Sequence, residues 1–176
     1  MDTTDIMIPA WVNGTLTPVE KFSVHRDGLR HPAVSVFVIR DSAILLQRRA
    51  LDKYHTPGLW ANTCCTHPFW QEPPLACAHR RLKEELGISA LDLRHRGQLE
   101  YRADVGKHLI EHEVVEVFSA QATKDMHITP NADEVMDTRW VTPDTLAAEI
   151  TDHPEHFTPW LRIYMSDYVD MILGAD

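Results

Sequence analysis

Cysteine, basic charge and long apolar runs are all scarce in this 176-residue chain. There are three cysteines, Cys64, Cys65 and Cys77. An odd count with two adjacent does not make a disulfide framework, and the simplest placement is the reducing cytoplasm. Lys and Arg number 17 against 26 Asp and Glu, for a net charge of −9. Nucleic acid is therefore excluded as the main partner, because a phosphate backbone demands a basic excess. A small anionic substrate is not excluded, since a local basic pocket can sit in an acidic protein. No stretch approaches the ~18 apolar residues of a membrane span. Met1 to Pro9 has no basic segment followed by an apolar run, so no secretory leader is expected. Linkers, repeats and low-complexity segments are also missing, and the chain reads as one domain over residues 1–176.

What is present is an ordinary globular composition, with 44% apolar residues. Eleven histidines are many for this length and raise the prospect of metal ligation. Asn13-Gly14 marks a hairpin turn within Pro9 to Pro18. Ala33 to Arg40 is rich in β-branched residues and reads as a strand, with Ala43 to Arg49 its partner across Asp41-Ser42. Trp60 to Cys65 reads as a short strand after a loop. Pro73 to Leu86 is the clearest helix: proline opens it, Leu75, Ala78, Leu82 and Leu86 repeat at helical spacing, and Gly87 stops it. Leu91 to Ala103 and Glu111 to Ala120 read as a strand pair, and Glu134 to Val141 as another strand. Pro143 to Ile150 and Pro159 to Leu173 read as helices. Strands and helices without regular alternation predict an α+β fold.

Four groups of residues carry chemistry. On the 73–86 helix, Arg80 and Glu84, and Arg81 and Glu85, are i,i+4 neighbours, which alone describes two solvated ion pairs. In Asn62-Thr63-Cys64-Cys65-Thr66-His67-Pro68, the spacing is poor for zinc. Alternation turns Cys64 and Cys65 to opposite faces: Cys64 and Cys77 are assigned to packing, and Cys65 is the reactive candidate if its face is the pocket. In Glu111 to Ala120, Glu111, Glu113, Val115 and Val117 share one strand face. Lys21, Arg49, Lys53 and Arg81 are each a surface charge in isolation, but as a set they could supply a local positive field.

RRLKEELGI, with Glu72 eight residues before Arg80, resembles the Nudix box, a loop–helix–loop whose glutamates hold magnesium on a diphosphate. Two positions depart from it: Thr66 stands where the box opens with glycine, and Arg81 stands where hydrolysing members keep a glutamate. NTCCTHP resembles the active-site cysteine segment of type I isopentenyl-diphosphate isomerases. The likeness extends, in order, through HRDGLRHPAVSVFV, QRRALDKYHTPGLWANTCCTHP, Tyr101 with Glu111-His112-Glu113, and Phe157-Thr158-Pro159-Trp160.

This resemblance implies a Nudix fold, with a mixed β-sheet core packed between helices. It implies a metal-dependent shift of a double bond in a homoallylic or allylic diphosphate, by proton transfer through a tertiary carbocation. It implies one divalent ion, Mn²⁺, Mg²⁺ or Zn²⁺, on His25, His31, His67, Glu111 and Glu113, and a Mg²⁺ ion held by Glu85 on the diphosphate. Lys21, Arg49, Lys53 and Arg81 would bind that diphosphate. Cys65 and Glu113, the latter paired with Tyr101, would handle protons on opposite faces of the alkene, and Trp160 would face the cation. Cys65 is expected to titrate nearer neutrality than a hydroxyl. No nucleic acid and no membrane are expected as partners, and a monomer is expected. Two alternatives stand beside this: a Nudix hydrolase of a nucleoside diphosphate derivative, which leaves Cys65 and the histidines without a role, and a non-catalytic Nudix-like binding module, which would bind without turnover.

Overall fold

The computed structural model describes residues 6–174. Residues 1–5, part of the stretch read for a leader, lie outside it. The described chain opens with a hairpin of β1 (Met7–Val12) and β2 (Thr15–Glu20), closed at Asn13-Gly14. Both turn residues have positive φ, at 50° and 81°, as the two-residue turn that matches strand twist requires.

A helix that sequence reading did not anticipate follows, α1 (Lys21–Asp27). Glu20, the last residue of β2, caps it: its carboxylate accepts from the backbone N–H of Phe22 at 2.7 Å and of Ser23 at 2.8 Å. Gly28 in the left-handed region ends it. His25, expected in a loop, is thus helical and buried.

The main sheet has seven strands. They are β3 (His31–Arg40), β4 (Ala43–Arg49), β5 (Trp60–Ala61), β6 (Cys64–Thr66), β7 (Arg94–Asp104), β8 (Ile110–Gln121) and β9 (Val135–Val141). The order runs β5-β4-β3-β8-β7, with β6 against β3 and β9 against β4. β3 and β8 are parallel and the other pairs antiparallel, so the sheet is mixed. The single strand expected over Trp60 to Cys65 is two short ones, because Asn62 and Thr63 turn inward to bond the backbone of Val36, Cys64, Val38 and Leu45.

Period-two alternation divides the core between the two faces. Val34, Val36 and Val38 of β3 and Phe118 of β8 meet α2 (Pro74–Leu86) through Cys77, Ala78, Leu82 and Leu86. Leu75 is exposed, and Cys77 takes the core position that the helical spacing had assigned to it. Gly87 has φ 66°, and a Cβ there would come within 3.0 Å of Thr129 Cβ, so the stop is steric as well as conformational.

On the opposite face, Ala33, Phe37, Val115 and Val117 pack under α3 (Pro143–Asp152), α4 (Pro159–Asp167) and α5 (Val169–Leu173), through Leu146, Leu161, Tyr164 and Ile172. The helix expected over Pro159 to Leu173 breaks at Tyr168, whose backbone (φ −131°, ψ 11°) leaves the helical region. Truncating a fully buried side chain such as Phe37 to alanine would cost about 3–5 kcal/mol. Among the described residues no helix is long and apolar enough to cross a membrane.

Candidate active site

Strand register assembles the site on the face that carries α4. Parallel pairing of β3 with β8 sets His31 opposite Glu113, and antiparallel pairing of β7 sets Tyr101 opposite the same residue. His31, Glu113 and Tyr101 therefore form one row across three strands. Glu111 lies two residues earlier on β8 and points the same way. β6 pairs with β3 so that Cys65 faces Ser35, and the chain then delivers His67. α1 brings His25 over the row. The Thr158 N-cap, whose N–H donates to Trp60 O at 2.9 Å, starts α4 and fixes Trp160 beside the same cavity.

The three imidazoles form a near-equilateral triangle, with ring centroids 5.0, 4.9 and 4.9 Å apart. Glu111 Oε2 lies 3.2 Å from His25 Nε2, 3.5 Å from His31 Nε2 and 3.8 Å from His67 Nε2. Glu113 Oε1 lies 2.9 Å from His67 Nε2 and 3.8 Å from His31 Nε2. Donors about 2.1 Å from a common centre sit roughly 3 to 4.2 Å apart in an octahedral set. These spacings fall in that interval.

The ring orientations of His25 and His31 agree with ligation, whereas His67 Nε2 already meets Glu113 Oε1 at 2.9 Å and its Nδ1 has no partner. His25 Nδ1 donates to Lys21 O at 2.6 Å and His31 Nδ1 to Leu29 O at 2.7 Å, which turns each Nε2 toward the centre. Nε2 of His25, Nε2 of His31 and Oε2 of Glu111 are buried without a hydrogen-bond partner. Orphaned buried atoms of this kind are costly unless something binds them. Three nitrogens and two carboxylates suit a divalent cation.

The electrostatics favour positive charge there. Burial opposes a charged His31, but the nearby carboxylates of Glu111 and Glu113 outweigh it and raise the imidazole to about 9. Burial likewise opposes ionised Glu111, yet His25, His31 and His55 hold its carboxyl well below the usual range.

Lys21, Arg49, Lys53 and Arg81 all line the same cavity, with Cys65, Glu85, Glu113 and Trp160. Burial, then the cations of Lys53 and Arg81, lower Lys21 to about 8. Arg81 donates to Glu84 at 2.8 Å and to Glu85 at 2.6 Å, and Lys53 pairs with Glu134. Glu85 also accepts from Gln47 at 2.8 Å. Glu72 is turned away, accepting from Arg80 at 2.6 and 2.7 Å.

Cys64 is fully buried against α2 and Cys65 is half-buried in the cavity, as alternation predicted. Burial, then the charge of Glu113, pushes the Cys65 thiol well above the ordinary value, so it stays protonated. Ser35 Oγ donates to its sulfur at 3.3 Å. Tyr101 donates to Glu113 Oε2 at 2.7 Å, and burial and Glu113 push the phenol well up, so it stays protonated. Arg49 stacks 5.4 Å from the Trp160 ring.

The NUDIX domain matches residues 29–161. The isopentenyl-diphosphate Delta-isomerase of Rhodobacter capsulatus is 63% identical to this chain over 94% of each. That of Roseobacter denitrificans is 60% identical over 96% of each. The chain belongs to the isopentenyl-diphosphate Delta-isomerase family, within the NUDIX superfamily. A Deinococcus radiodurans protein of known structure shares the fold alone, with a TM-score of 0.72 at 14% identity over 90% of this chain and 96% of its own. A MutT NUDIX hydrolase from Burkholderia pseudomallei does so with a TM-score of 0.60 at 23% identity, over 79% and 98%.

Of the residues expected at the site from sequence, Lys21, Arg49, Lys53, Cys65, His67, Arg81, Glu85, Glu111, Glu113 and Trp160 line the cavity, while Tyr101, His25 and His31 meet the carboxylates of Glu113 and Glu111. Sequence reading missed His55, Gln47, Glu134 and Ser35. Glu134 and Gln47 are second partners of basic or acidic residues already on the cavity wall, and no local pattern marks them. His55 is one of eleven histidines and sits in a loop, where no periodicity distinguishes it.

Proposed function

We propose that this chain interconverts isopentenyl diphosphate and dimethylallyl diphosphate by adding one proton and removing another, through a tertiary carbocation. The observation that carries this reading is one cavity that holds a protonated thiol, Cys65, a carboxyl, Glu113, gripped by Tyr101 and His67, and four basic side chains. Full-length identity to proteins named for this activity supports it.

In this reading Lys21, Arg49, Lys53 and Arg81 bind the diphosphate. Cys65 and Glu113 act on opposite faces of the alkene. In one direction Cys65 gives its proton to the terminal alkene carbon and Glu113 takes one from the methylene on the other side of the cationic carbon; the reverse reaction exchanges the roles. Tyr101 holds Glu113 at Oε2, so that its other oxygen and its angle are set before substrate arrives. Trp160 offers its π face to the cation, an interaction worth ~2 kcal/mol when desolvated. The buried walls keep water from the carbocation.

His25, His31, His67, Glu111 and Glu113 would hold one divalent ion, Mn²⁺, Mg²⁺ or Zn²⁺. Glu85 would hold Mg²⁺ with the substrate's phosphates supplying the remaining oxygens. When bound, these ions supply positive charge that orients Glu113 and offsets the diphosphate. Hydrolysis is less well served, because Arg81 occupies the place of a glutamate and ties up both Glu84 and Glu85.

Proton NMR with isopentenyl diphosphate and Mg²⁺ in D₂O tests this. Deuterated dimethylallyl diphosphate should form with the native chain and not with Cys65→Ala. Phosphate release from a nucleotide panel without isomerisation would sink the proposal.

A further inference from the structure

The loop at residues 50–59, between β4 and β5, places His55 against the other oxygen of Glu111, its ring 5.6 Å between centroids from that of His25. His55 is buried, with 4% of its surface exposed. Its Nε2 lies 3.1 Å from Glu111 Oε1, and its Nδ1 lies 3.1 Å from Thr56 Oγ1. Its carbonyl accepts from Arg49 at 3.2 Å, and its ring stands at 89° to Trp160, 5.9 Å between centroids.

The partners dictate the tautomer. A carboxylate only accepts, so Nε2 of the neutral ring carries the hydrogen and Nδ1 accepts from the Thr56 hydroxyl. Thr56 holds φ 45°, a left-handed conformation that a β-branched residue rarely adopts. The loop therefore accepts backbone strain at the residue whose hydroxyl assigns the tautomer.

Glu111 is thus divided between its two oxygens. Oε1 is held by His55, while Oε2 faces His25, His31 and His67 without a hydrogen-bond partner. Without a donor at Oε1 the carboxylate would be free to rotate and present either oxygen, or both, to the centre.

We propose that His55 is a positioning residue: it fixes which oxygen of Glu111 faces the cation centre, and Thr56 fixes His55 in the tautomer that can do so. This rests on the reading of the His/Glu cluster as a divalent-ion site. It assigns a task to a side chain outside that cluster.

The test is Mn²⁺ affinity of the metal-stripped full chain, by electron paramagnetic resonance of free Mn²⁺, for wild type, His55→Gln, His55→Leu and Thr56→Val. Glutamine keeps an N–H donor near Nε2, whereas leucine keeps only the packing against Trp160. His55→Leu should bind Mn²⁺ about 10–100-fold more weakly, the usual cost of removing a group that orients a ligand. His55→Gln should recover to within a few-fold of wild type, and Thr56→Val should fall between. Nitrogen NMR of the metal-free chain should show His55 protonated at Nε2. Equal Mn²⁺ affinity for the leucine and glutamine variants would reduce His55 to packing, and an Nδ1–H tautomer would overturn the proposal equally. These readouts need no turnover. A wild type that binds Mn²⁺ but isomerises nothing would defeat the functional reading while leaving this one standing.

Discussion

Two clusters of carboxylates, one on β8 inside the cavity and one on α2 that reaches it through Glu85, differ in how their charge is met. On β8, Glu111 and Glu113 face three imidazoles, and buried atoms of both residue types lack partners. On α2, Glu72, Glu84 and Glu85 are each met by Arg80 or Arg81 from their own helix. The first cluster is left short of positive charge and fits an external cation. The second is largely met within the chain, two arginines against three glutamates, which spares the fold much of a buried charge imbalance. The same acidic residue type is thus left open to a cation in one place and paired with arginine in the other.

Breaking the first cluster should have the largest effect. Glu113→Gln removes a proton-handling group and a proposed ligand together, and kcat should fall about 10³-fold. Glu84→Gln, on the other cluster, should leave kcat near wild type; steady-state rates for the two variants under saturating Mg²⁺ compare the clusters directly.

Arg81→Glu sharpens the contrast from the other side, by adding a carboxylate where α2 now has a guanidinium. Losing a charge-assisted contact of about 1.5–3 kcal/mol should raise the KM for isopentenyl diphosphate roughly 10–100-fold. Mn²⁺ affinity of the β8 cluster should stay the same. A variant that is inactive yet binds substrate normally would count against the assignment of Arg81 to the diphosphate.

Lys21 links the two clusters and should impose a pH dependence. Burial and the neighbouring cations lower it to about 8, so the charged form prevails below that pH and is lost above it. A bound diphosphate favours the charged form, so KM should be steady below pH 8 and climb as pH rises beyond it. Lys21→Arg, which stays charged, should flatten that climb, and an unchanged profile would remove Lys21 from the binding set.

The smallest effect belongs to the exposed rim of α2. The Glu84 side chain is 44% exposed, and its pairs with Arg80 and Arg81 are screened by solvent. Glu84→Gln should cost about 0.2–0.5 kcal/mol in urea unfolding.

Much of this contrast was legible in the sequence, because much of it is local. The i,i+4 pairs of α2, its glycine stop, the common face of Glu111 and Glu113, and the separation of Cys64 from Cys65 all follow from helix or strand period. What was hidden depends on tertiary neighbours. α1 has seven residues, too few for a periodic signal, and its cap is the last residue of a strand. Leu75 has the right spacing but falls on the first turn, beyond the reach of the sheet. Cys65 reads as the reactive thiol, but the rise that burial and Glu113 impose on it needs the tertiary neighbours. His55 gains its partner from a strand more than fifty residues away, which no pattern within its loop records.

The parallel pairing of β3 with β8 also governs the order of assembly. His31 meets Glu113 only once the strand at 110–121 has closed a long loop back onto the strand at 31–40. Closures of this range are slow compared with helix and hairpin formation. The proposed divalent-ion site should therefore be among the last features to mature, with Mn²⁺ uptake lagging the recovery of helical signal in refolding experiments. During synthesis, a ribosome-bound chain that ends before Glu111 would hold its histidines without the carboxylates that gather them.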